Sequence, residues 1–236
     1  MTHPASAVPP PPVLVFDAIP IARHASHPFS LEVEERRTVA VLGDEHSGIG
    51  LLGGYALGLE RPTGGRALVF GTEIGRLPEP ERLAFRRRVG YLPAGDGGGL
   101  LQNLSLRDNV ALPLRFGSDA SPREIEGRVS VMLTALRLSG AGGLRPAQAN
   151  DEERRRAALA RAIAFDPSLL ILEQPFDGLT ARVASELLEI ARGGESAEGA
   201  RRTIFITGQE IPPVILRRVD RVYRLTRAGI LEPEPV

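Results

Sequence analysis

The sequence predicts an α/β fold: a parallel sheet buried on both faces, with an antiparallel β edge and a helical insertion. Three short apolar runs carry that reading. Thr38-Val39-Ala40-Val41-Leu42 runs into Gly43, Ser168-Leu169-Leu170-Ile171-Leu172 into Glu173, and Thr203-Ile204-Phe205-Ile206-Thr207 into Gly208. Continuous β-rich runs that each stop at a polar or glycine turn are the pattern of parallel strands covered on both sides. In such sheets functional residues gather at the carboxyl ends of the strands.

The remaining elements follow in chain order. Pro9-Pro10-Pro11-Pro12 closes an N-terminal arm over residues 1–12 that is expected to be extended. Leu14 to Phe16, Phe29 to Val33 and Ala67 to Phe70 read as strands of a separate antiparallel edge. Glu79 to Arg88 is a charged, amphipathic helix. Ser121 to Leu136 opens with Ser-Pro-Arg-Glu, a helix-start signal. Glu152 to Ala164 is alanine-rich and must pack closely against a neighbour, and Arg182 to Arg192 follows the second core strand. The order predicts one domain over 13–230, with a helical lobe at about 100–150, and a frayed tail over 231–236 that holds two Glu-Pro pairs.

Composition narrows the function classes. Apolar residues make up 42% and charged residues 25%, the balance of a globular protein, and the formal net charge is zero. Arg86-Arg87-Arg88 and Arg154-Arg155-Arg156 are the only candidates for a nucleic-acid face. With no net positive charge and no interleaved aromatics, they read as solvated helix faces, so no nucleic acid is expected. There is no cysteine, which removes disulfides and thiolate metal sites. There is also no lysine: all 29 basic residues are arginine, and no side chain can do work that requires an amine. No secretory signal is read at the N-terminus, and no apolar run approaches the roughly 20 residues of a membrane span.

Gly43-Asp44-Glu45-His46-Ser47-Gly48-Ile49-Gly50 follows the first core strand, with its first two glycines spaced as in a phosphate loop, G-x-x-x-x-G-K-[ST]. In such a loop, glycine-permitted backbone wraps a phosphate with N–H groups. Five more segments keep a family's order and spacing. Leu59 to Gly65 is similar to G-L-x-x-P-T-x-G, Phe85 to Tyr91 to the approach to a glutamine loop, and Leu106 to Leu114 to V-x-E-N-V-A-x-P-L. Ala158 to Pro167 is similar to A-L-A-R-A-L-A-x-x-P, and Leu169 to Leu179 to L-L-L-L-D-E-P-x-x-x-L. Over about residues 14 to 230 the chain resembles the ATP-binding subunit of an ABC transporter, with a P-loop NTPase-type fold. Asn-Val-Ala-Leu-Pro-Leu and Pro-Phe-x-Gly-Leu look most like the branch serving phospholipid or lipoprotein trafficking.

The resemblance implies ATP and magnesium as ligands, and the same positions in this chain argue against both. Gly43, Ser47 and Gly48 remain of the nucleotide-binding loop, but Ile49 stands where the family has the phosphate-binding Lys and Gly50 where Ser or Thr binds magnesium. Asp44 and Glu45 add carboxylates where phosphate would lie. Ala94, or Asp96, replaces the glutamine, and Gly97-Gly98-Gly99 beside it reads as a flexible surface loop. Asn150, Asp151 and Glu152 fall on the Ser-Gly-Gly of the signature, whereas Leu138-Ser139-Gly140-Ala141-Gly142 is a look-alike, eleven residues too early, and reads as a turn. Glu173 takes the magnesium-linked Asp position and Gln174 the general-base Glu position. Thr180 replaces the next loop's Asp, and Gly208 the switch His. Only His24 and His27 are at hand where an aromatic would stack on adenine.

The expectation is therefore a pseudo-ATPase subunit that keeps its shape for docking on an ABC permease, on the inner face of the cell membrane. It would pair with itself or with another ABC ATPase subunit. The competing reading is a working ATP-binding subunit for export or lipid transport.

Overall fold

The computed structural model describes residues 11–21, 25–193 and 201–234, with Asp96 described by its backbone alone. Residues 1–10 of the proline-rich arm, and His24, lie outside these.

Two sheets form. Strands β1 (Leu14–Ile19), β2 (Phe29–Val33) and β4 (Arg66–Val69) make the expected antiparallel sheet, in the order β2-β1-β4. The larger sheet holds β3 (Thr38–Leu42), β5 (Val89–Leu92), β6 (Leu169–Glu173), β7 (Thr203–Gly208), β8 (Arg221–Leu225) and β9 (Leu231–Pro233), in the order β5-β6-β7-β3-β8-β9. All its pairs are parallel except β8 with β9. The tail expected to fray thus contributes an edge strand: Leu225 pairs with Leu231 and Tyr223 with Pro233. An edge is where a strand tolerates proline, which has no N–H to donate.

Alternation along the large sheet divides the core in two. Ala40, Leu42, Leu92, Leu170, Leu172, Ile204 and Ile206 face the helices α3 (Leu106–Gly117), α4 (Pro122–Ala135), α5 (Asp151–Ala162) and α6 (Ala181–Arg192). Val39, Val41, Val89, Leu169, Ile171 and Phe205 face the antiparallel sheet and the short α1 (Leu52–Ala56). Two further helices, α2 (Glu79–Arg86) and α7 (Pro213–Leu216), complete the chain.

Side-chain caps set the helix starts. Ser121 and Glu124 form a capping box on α4, and Asn150 and Glu153 form one on α5. Thr180 accepts from the Val183 N–H to open α6. Ser139 to Gly142 is a turn beyond α4, as expected of the signature look-alike. Among the described residues no helix is long and apolar enough to cross a membrane.

Candidate functional site

The parallel register brings the motif residues to one edge. Leu42 lies beside Gly208 and Glu173 beside Thr207, and the Gly43 N–H donates to the Gly208 carbonyl at 3.0 Å. Gln174 is bonded through its N–H to the Thr207 carbonyl at 2.7 Å. The loop of Gly43 to Gly50 therefore meets Glu173, Gln174 and Gly208 as the sequence pattern required.

The loop is bonded to itself. The Asp44 carboxylate accepts from the His46 N–H at 2.9 Å, and the Asp44 carbonyl accepts from the Ser47 N–H at 3.1 Å and hydroxyl at 2.6 Å. Ser47 is fully buried, so its hydroxyl is turned inward. Gly48 is the glycine the loop cannot replace. Its φ is +82°, and a Cβ there would lie 2.2 Å from the Ile21 carbonyl oxygen. Ile49 is buried in the apolar cluster with Val39, Val41 and Leu52, where no phosphate could reach it. The helix behind the loop is brief: a 3-10 turn over Ile49–Leu51, then the five residues of α1, two of which are the poor helix formers Gly53 and Gly54.

One expectation about this loop needs correction. Asp44 is not a bare negative charge, because Arg227 pairs with it at 2.7 Å and holds its carboxyl below the usual range. Glu45 is exposed and faces His46 at 3.5 Å. The Arg227 contact spans 183 residues of sequence, and no local signal could reveal it.

At the end of β6, Glu173 is buried. Its Oε2 accepts from the Tyr91 hydroxyl at 3.0 Å and the Ala94 N–H at 3.1 Å, while Oε1 has no hydrogen-bond partner among the described residues. Burial raises its pKa, and the two hydrogen bonds only partly oppose this. The folded state therefore holds a proton more tightly than the unfolded chain. Stability from this group is present below the unfolded carboxylate pKa and is lost as pH rises through the folded one. Glu173→Gln should remove that loss. Melting curves from pH 4 to 8 should show the variant gaining on the wild type as pH rises, and parallel curves would refute the assignment.

Gln174 has a φ of +45°, a strained backbone for a residue with a side chain. It lines a polar cleft of about 250 Å³ together with Gly95, Asp151, Arg154 and Asp177. The signature-position carboxylates are both ion-paired with arginines of their own helix. Asp151 pairs with Arg154, and Glu152 with Arg156 at 2.8 Å. The glycine run also differs from expectation. Gly97, Gly98 and Gly99 are all left-handed, and Gly97 and Gly98 are buried against α5. Arg161 ties the turn down by donating to the Gly98 and Gly99 carbonyls at 2.8 and 2.7 Å. Three residues without Cβ make a backbone turn that alanine-rich α5 can accept at close range. His27 is exposed, bonded to Ser26 at 3.0 Å.

A second depression, an open groove of about 510 Å³, lies away from the strand ends. Leu83, Leu112, Pro113, Phe116 and Phe165 give it an apolar lining, and Arg86, Arg87 and Arg161 are its charged members. Phe116 is 84% exposed.

Comparison with known proteins accords with this geometry. The family model described as "ABC transporter" matches residues 26–177. A sulfate/thiosulfate import ATP-binding protein of Mesorhizobium japonicum is 34% identical over 209 residues, covering 87% of this chain and 58% of that protein. A methionine import ATP-binding protein of Pseudomonas aeruginosa is 29% identical over 208 residues, covering 88% of this chain and 61% of that protein. The chain thus spans about three fifths of the length of these relatives. A dimeric bacterial ABC transporter cassette superposes with a TM-score of 0.79 at 21% identity, over 94% of this chain and 97% of that one, a likeness of fold. Both relatives are named for import, so placement in the lipid-trafficking branch gains no support from them. From the motif order, the sheet register and the family match, this chain belongs to the ABC transporter family, as an ATP-binding domain.

Proposed function

We propose that this domain serves an ABC transporter as a docking and regulatory subunit without ATPase activity of its own. The observation that carries the proposal is Ile49: an apolar side chain, buried in the core, replaces the one amine that the phosphate loop requires. The rest of the site agrees. The Ser47 hydroxyl and the His46 and Ser47 N–H groups are already bonded to Asp44, Gly50 offers no hydroxyl, and Glu173 is committed to Tyr91 and Ala94. These residues do not fit magnesium ATP, and no catalytic step is assigned to them.

The partner surface is the groove around Phe116. Leu112, Pro113 and Phe116 come from the lobe expected to dock, while Leu83 and Phe165 come from outside it. Among the described residues no acidic one lines the groove, which suits a permease segment with an apolar face and an acidic side chain. A single exposed aromatic of this kind is an anchor of the sort that dominates interfaces, where truncation costs about 2 kcal/mol or more. The names of the relatives favour an import permease. Co-expressed with an ABC import permease as its partner, the protein should fractionate with membranes. Phe116→Asp should shift most of it to the supernatant without lowering its Tm. Equal membrane fractions for both forms would overturn the surface.

A further inference from the structure

Glu173 raises a question that its motif position does not answer: why a buried carboxylate one carbon longer than the family's Asp is tolerated at the end of a packed strand. Its orphan Oε1 provides the lead. That oxygen lies 2.2 Å from where a Cβ of Gly53 would be, and the Tyr91 ring edge lies 3.1 Å from the same point. Gly53 is buried in α1, and its φ lies in the range open to any residue. Glycine is therefore not demanded there by the backbone. It is demanded by the space that Glu173 occupies.

We propose that Gly53 and Glu173 are a matched pair, with Gly53 the positioning residue that lets the longer carboxylate seat against α1 while it accepts from Tyr91 and Ala94. Seated so, Glu173 ties β6 to Tyr91 on β5 and to Ala94 two residues beyond it, with Oε1 packed against Gly53 of α1. An Asp at 173 would withdraw its carboxylate by about one C–C bond, ~1.5 Å. It would abandon Tyr91 and Ala94 and free the space in front of Gly53. The inference deepens the non-ATPase reading and rests on it. The acid at the magnesium-linked position has been turned into a strut, and the residue that turned it lies outside every family motif.

The test is a sign reversal in a double-mutant cycle, read by melting temperature. Gly53→Ala in the wild type should lower Tm by several degrees, because the new methyl pushes Glu173 off Tyr91 and Ala94. In a Glu173→Asp background the same change should raise Tm by about 2–4 °C, since alanine outranks glycine in a helix and the Tyr91 ring edge at 3.1 Å need give only slightly. A merely space-filling glycine would give one sign in both backgrounds, and that result would overturn the pairing. ATP hydrolysis by the wild type would instead sink the non-ATPase reading and leave the stability cycle standing, so the two failures are distinguishable.

Discussion

Purified protein with millimolar magnesium ATP should release phosphate no faster than its heat-denatured control. Each missing group is costly alone. The charge-assisted bond lost with the loop amine is worth about 1.5–3 kcal/mol. Replacing the general base by Gln174 costs about 10²- to 10⁴-fold. Binding should fail as well as turnover. A ligand at 100 times its dissociation constant would add about 2.7 kcal/mol, a shift of about 5–10 °C for a domain of this size, and we expect no such shift. The double variant Ile49→Lys, Gly50→Ser should not restore turnover. Residue 49 enters the cluster of Val39, Val41 and Leu52, and the base and signature groups are still absent. Phosphate release by either form above the denatured control would refute the proposal.

Arg156→Ala should cause a large loss of stability. This guanidinium is 2% exposed, and it joins three elements. It bonds Glu152 on its own helix, Glu186 on α6 at 3.1 Å, and the Leu136 carbonyl at the end of α4 at 3.4 Å. Breaking a buried ion pair by removing one partner costs about 3–5 kcal/mol when the other charge is left uncompensated. Here Glu186 keeps Arg137 at 2.9 Å and some solvent, so the expected loss is about 3 kcal/mol, at the low end of that range. Urea denaturation should show it as a lower midpoint with an unchanged slope. Adding Glu186→Gln should cost less in the variant than in the wild type. A loss below about 1 kcal/mol would mean that α5 is held to α6 by packing alone.

How much of this was legible in the sequence varied with the range of the interaction. Strands β3, β6 and β7 announce themselves because a strand covered on both faces must be apolar throughout. Helix α4 announces its start through Ser121, whereas the Thr180 cap of α6 emerges only in the structure. β8 was missed because its arginines, 221 and 224, hide Val222 and Leu225, and β9 because two Glu-Pro pairs look like a tail. Motif spacing located Ile49, Glu173, Gln174 and Gly208, and the sheet register brought the strand-end residues together. Arg227 on Asp44, Gly53 behind Glu173 and the packing of the glycine turn depend on contacts between distant segments, which no local pattern encodes.

The left-handed turn at Gly97, Gly98 and Gly99 also limits which residues can follow β5. A side chain at Gly98 would meet the Ala158 methyl at 2.6 Å, and one at Gly99 would meet Pro93 at 2.7 Å, each on backbone that L-residues resist. Ala94 and Asp96, the two candidates for the glutamine position, are not among these residues, so the constraint falls on the glycines themselves. Substitution can therefore reach the residues around the turn, while chirality holds the turn itself to glycine.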